Sequence, residues 1–155
     1  MKYLNSATIT VFVKPNEEDI AAIRKALLDL VPLNLEEDKI GLKEERATGF
    51  NEQPIRILSV TLTKTAHTNA FLKKLLALLS NADKQLLIGQ RESRLDNELT
   101  FFIRLDKDRW LTDRAAEVTD SGKCFHIKLN LAAFPARRPD ALELVEKIFK
   151  PESDR

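Results

Sequence analysis

Two segments in the last third of the chain alternate strictly between apolar and polar positions. In Arg94–Lys107, Leu99, Phe101, Ile103 and Leu105 fall on one side, and Thr100, Phe102 and Arg104 on the other. In Cys124–Arg138, Phe125, Ile127, Leu129 and Leu131 alternate with Cys124, His126, Lys128 and Asn130. Period two is the signature of a strand with one buried face. The second face of this pair is basic and partly aromatic, which suits contact with nucleic acid.

The rest of the chain reads in the same terms. Thr8–Val13 is a β-branched strand ended by Pro15-Asn16, with Asn16 as candidate cap for a helix carrying Ile20, Ile23, Leu27, Leu28 and Val31. Pro32 stops it. Ile40–Arg46 reads as a short exposed strand, Ala47–Pro54 as a loop and Ile55–Leu62 as a clearer strand. Phe71, Leu72, Leu75, Leu76 and Leu79 form a helical stripe, and Ser80 caps a second helix through Leu86 and Leu87. Lys107–Gly122 reads as a polar connection, and Pro139 opens a last helix with Leu142, Val145, Ile148 and Phe149 inward. The expected fold is α+β in the order β-α-β-β-α-α-β-β-α, with a single antiparallel sheet and helices packed on one face. Residues 1–150 form one domain, and 151–155 a polar tail.

Composition adds bounds. Of 155 residues, 43% are hydrophobic, which is enough for one ordinary core. One cysteine leaves no internal disulfide, no apolar leader follows Lys2, and no run is long enough to span a bilayer. A soluble cytoplasmic protein without a membrane partner is expected. Net charge is only +1, but it is unevenly distributed. Residues 1–55 hold 7 basic and 10 acidic side chains, net −3, and residues 56–155 hold 18 and 14, net +4. Gln53–Ala82 and Ser121–Arg138 contain no acid at all. Such asymmetry suits a polyanionic partner.

Catalytic and metal chemistry find little support. Cys124 and His126 share a strand face, but no third group or glycine-rich turn accompanies them. One Cys and two His are too few for a closed zinc site. Asp106 and Asp108 suit a solvated turn better than a cation site. The four glycines form neither a P-loop nor a dinucleotide fingerprint. No cofactor is expected.

Arg94-Leu95-Asp96, Phe102–Lys107, Ile127-Lys128-Leu129 and Ala133–Arg138, with weaker matches at Gln53-Pro54-Ile55 and around Phe71, resemble an archaeal family of predicted RNA-binding proteins linked to the exosome. That resemblance implies a fold like the ribosomal protein that binds 5S RNA. The chain departs from the family in its loop Gly49–Pro54, which lacks histidine, and in Asp108 where an amide is common.

The expected function is non-catalytic RNA binding, with the exosome or other RNA-processing proteins as partners. Arg94, Phe102, Arg104, His126 and Lys128 form one candidate surface, extended by Lys107, Lys123, Arg137 and Arg138. Lys64, His67, Lys73 and Lys74 form a second. Phe102 equally suits base stacking or a dimer interface, and Arg94 and Arg104 equally suit RNA or a pairing with Asp96 or Asp106. The alternative is a protein-interaction module, as a homodimer or adaptor. A metal-free nuclease ranks behind both.

Overall fold

In a computed structural model, described over residues 1–151, β1 (Leu4–Val13) is the central strand of a five-stranded sheet. β3 (Pro54–Leu62) and β5 (Cys124–Leu131) flank it, and β2 (Leu42–Thr48) and β4 (Thr100–Asp106) form the edges. Every pairing is antiparallel. Alternate residues Ile9, Val11, Leu58, Val60, Phe101, Ile103, Phe125 and Ile127 point to one side and are fully buried. There they meet α1 (Ile20–Leu30), α2 (Thr65–Leu78), α3 (Asn81–Gly89) and α6 (Arg138–Phe149) in a single core. The α+β class and the one-sided helical cover are as the alternation predicts. Of the expected tail, Pro151 is buried and 152–155 lie outside the described residues.

Local details depart from the sequence reading where side chains find better partners. α1 is capped by Asp19, whose carboxylate accepts from the N–H groups of Ala21 and Ala22 at 3.0 and 3.2 Å, rather than by Asn16. Ser80 caps α3 as expected, accepting from Asp83 N–H at 3.1 Å. Leu99 is not a strand residue. Asp96 accepts from the N–H groups of Glu98 and Thr100 at 2.9 Å each, and the turn it makes puts Leu99 at φ 63°, half-buried, with β4 starting one residue later.

Two short helices add order that the alternation does not predict, and the second lies within the expected polar connection Lys107–Gly122. A short helix, α4 (Arg91–Arg94), precedes β4, and α5 (Lys107–Asp113) follows it directly. α5 is anchored by Trp110, which is 2% exposed and donates its indole N–H to the Ala26 carbonyl of α1 at 2.8 Å. Lys107 begins α5 and is 4% exposed. Its amino group donates to the Phe12 carbonyl at 2.7 Å and pairs with Glu18 at 2.8 Å, tying α5 to the end of β1.

Replacing Trp110 with Phe keeps the aromatic bulk but leaves the Ala26 carbonyl without its donor. Urea denaturation should show a loss of about 1–3 kcal/mol. Lys107→Met should cost about 2 kcal/mol, since it strands both the Phe12 carbonyl and the Glu18 carboxylate. Burial disfavours the Glu18 anion, but the hydrogen bonds from Lys107 and the Lys14 N–H, with the charges of Lys107 and Lys123, outweigh it and hold the carboxyl below its ordinary value. This contribution is present above the unfolded carboxyl's pKa and disappears as pH falls through the depressed folded value. Stability of the wild type should therefore drop more steeply on acidification than that of Lys107→Met, as read from midpoints at a series of pH values.

Candidate nucleic-acid interface

One-sided burial leaves the opposite face of the sheet uncovered, and the register determines what it carries. Phe102, Lys128, Thr8 and Thr61 lie in one row across β4, β5, β1 and β3. Arg104, His126, Thr10 and Ser59 lie in the next. Phe12 and Ile57 pair one row further along. Among the open-face positions of the strands there are two carboxylates, and both are engaged. Asp106 caps α5 by accepting from Arg109 N–H at 2.9 Å, and Glu45 pairs with Lys43 at 2.8 Å. The centre of the face is thus hydroxyl, aromatic and cationic.

Phe102 and His126 stack, with ring centroids 5.6 Å apart and planes 13° from parallel. Burial, and then the neighbouring charges of Lys128 and Arg104, push the His126 imidazole below its ordinary pKa. At neutral pH the ring is therefore uncharged and widens the aromatic surface of Phe102. A depression of about 600 Å³ opens beside the pair, bounded by Arg94, Arg104, Ser93 and Asp120. Arg94, with a side chain 10% exposed, holds this rim. Its guanidinium donates to Gln90 Oε1 at 2.9 Å and to the Phe102 carbonyl on the outer edge of β4 at 3.2 Å, and pairs with Asp120 at 3.5 Å. Arg104 donates to the Asp120 carbonyl at 3.0 Å. The Asp120 side chain itself is 93% exposed, so Arg94 meets this carboxylate at the solvent boundary, while Arg104 holds the Asp120 backbone.

The candidate residues do not all converge here. Phe102, Arg104, His126 and Lys128 share the open face, with Arg94 at its edge. Lys123 is exposed at the Phe12 end and pairs with Asp108 at 3.1 Å. Lys107 is committed to Glu18 and Phe12 and is not available to a phosphate. Arg138 donates to the carbonyls of Leu95 and Glu92 at 3.0 and 2.7 Å, which makes it a clamp on the end of α4. Arg137 is exposed and pairs with Asp140 at 3.2 Å. Lys64, His67, Lys73 and Lys74 belong to the start and body of α2, on the helical side of the sheet, so the two acid-free stretches do not merge into one patch. Within that second group His67 faces Asp38 at 3.8 Å and Lys74 donates to the Asp29 carbonyl.

Phe12 escaped the sequence reading because it sits between Val11 and Val13 in an unbroken apolar run. Only the register sends it to the open face, where it is 56% exposed. Cys124 lies beside it and is buried, and burial foremost pushes its thiol up from the ordinary value. Among the described residues no group of three or more His, Cys, Asp or Glu is placed to hold a metal, and no helix is long and apolar enough to cross a membrane.

Comparison with known proteins places this geometry in a wider set. The chain is similar to the RNA-binding protein PAB1135 of Pyrococcus abyssi, 24% identical over 135 residues that cover 87% of each chain. Its fold is that of protein AF2318 from Archaeglobus fulgidus, with TM-score 0.82 at 24% identity over 94% of this chain and 99% of that one. The DUF54 protein Mth689 from Methanothermobacter thermautotrophicus shares it too, with TM-score 0.76 at 24% identity, covering 96% and 99%. A family model described as RNA binding matches residues 6–131, which take in all five strands except Leu4 and Asn5 at the start of β1, and the chain belongs to that family.

Proposed function

We propose that the protein binds single-stranded RNA across the open face of its sheet, without catalysing a reaction on it. The observation that carries this reading is the Phe102–His126 stack flanked by Arg104 and Lys128. A neutral aromatic pair offers a π-face to any base, and two adjacent cations can meet the phosphates on either side. Membership of the RNA-binding family and the name of the Pyrococcus relative support it. The family resemblance further supports association with the exosome or similar RNA-processing machinery.

Fluorescence anisotropy with single-stranded RNA at several salt concentrations tests the proposal. With about four phosphates neutralised, log affinity should fall against log salt with a slope near ~−3. Phe102→Ala should cost about 1–3 kcal/mol with little change in slope. Lys128→Ala should weaken binding to all sequences and make the slope shallower by about 0.7. Both variants should keep the wild-type circular dichroism, because neither side chain belongs to the core. A folded wild type that binds no RNA at low salt would end the RNA reading and favour a protein-interaction module.

A further inference from the structure

At the end of the open face away from Phe102 lies a second depression, of about 610 Å³, which the interface described above does not use. Phe12, Ile55, Ile57 and Ala47 give it an apolar floor, and Lys14 and Lys123 stand at its margin. Glu17 and Glu18 also border it, but Glu18 is neutralised by Lys107. Phe12 is 56% exposed although it belongs to the central strand, where it pairs with Ile57 of β3. Its carbonyl is gripped by the buried Lys107, so the ring stands on fixed backbone. The loop between β2 and β3 brings another phenylalanine, Phe50, 95% exposed, to the same end, where it borders a smaller hollow shared with Lys14, Glu17 and Ile55.

We propose that Phe12 is a second base-stacking post, and that the open face takes a single strand long enough to reach from Phe102 to Phe12. This rests on the RNA-binding reading and specifies its ligand. The register fixes the separation. Phe102 aligns with Lys128 and Thr8, two strands across, and Phe12 lies four residues beyond Thr8 along β1. Strand spacing near 4.8 Å and a rise near 3.3 Å per residue put the two posts about 16 Å apart. That is roughly five times the ~3.4 Å between stacked neighbours in a strand, and about half as many steps if the strand is stretched. Adjacent nucleotides therefore cannot occupy both posts, and the intervening ones must cross the row of His126 and Thr10. The Thr10 hydroxyl there can donate to and accept from a ribose 2′-hydroxyl, which favours RNA over DNA. The occupant fits this depression because its apolar floor is continuous with the aromatic and cationic face, and its margin lysines suit phosphates.

Isothermal titration calorimetry with unlabelled oligouridylates of two and eight nucleotides tests the proposal. The wild type should bind the octamer far more tightly than the dimer, because two posts act on one strand. Phe12→Ala should weaken octamer binding about tenfold or more, while changing dinucleotide binding about twofold at most, since Phe102 still holds it. Phe12→Trp should restore the octamer affinity, and circular dichroism should show all forms folded. Phe12→Ala indistinguishable from wild type on the octamer, while Phe102→Ala still weakens it, would overturn the second post and leave the RNA reading intact. No binding of either oligonucleotide by the wild type would overturn both. Loss of a wild-type dimer in Phe12→Ala, with octamer affinity unchanged, would make this face a contact between copies of the chain and also overturn the proposal.

Discussion

The helices of this protein cover one face of the sheet only, and the remaining features follow from that asymmetry. An antiparallel sheet tolerates a solvated face because its backbone groups are satisfied within the ladder, so the side chains on that face are free of packing duty. Along β1, β4 and β5, each residue that fills the core is followed by one that the core does not constrain. Phe101, Ile103, Phe125 and Ile127 are fully buried, and the alternation between them delivers Phe102, Arg104, His126 and Lys128 to the same uncovered surface.

A free sheet face needs protected edges if it is not to pair with another sheet. β2 meets this with a charged, mostly exposed sequence, Lys43-Glu44-Glu45-Arg46. β4 meets it by covering. Arg94 takes the Phe102 carbonyl, Thr119 N–H donates to the Arg104 carbonyl at 2.9 Å, and Asp106 N–H donates to the Glu117 carbonyl at 2.8 Å. The groups that seal this edge also build the rim of the aromatic depression. The guanidinium that caps the edge carbonyl is thus held beside the Phe102–His126 stack, and Arg138 in turn secures the short helix that carries it.

The sheet and its buried face were legible because period two is a local property of a strand, and Phe101 to Leu105 or Phe125 to Leu131 display it without help from the rest of the chain. α5 was not legible, since Lys107–Asp113 contains one large inward residue, Trp110, and a single anchor sets no periodicity. The roles of the basic residues were the least readable. Lys107, Lys74 and Arg138 look like Lys128 in sequence, but their donors are spent on carbonyls or carboxylates 43 or more residues away in the chain. Charge runs record that cations are present, and only tertiary structure records which remain for a ligand. Phe12 was hidden for the converse reason: its neighbours made it look like core.

His126 shows why the distinction matters for chemistry as well as for placement. Burial and the charges of Lys128 and Arg104 all disfavour its protonated form. On an open face those same cations would attract phosphates, and each phosphate drawn in would offset part of the repulsion that keeps the imidazole neutral. The ring is then an aromatic surface in the free protein and becomes easier to protonate as the strand's charge arrives. Under the proposed mode, proton and RNA binding would be linked through this one side chain, so acidification below the ordinary histidine range should favour the bound state by more than the gain of charge on an exposed histidine far from the strand would. The same lowered pKa makes protonation of His126 unfavourable to the free fold, which loses stability as pH falls below the unfolded histidine's value of about 6.5. A polyanion bound across the open face, as proposed, would remove that cost at the stacked pair.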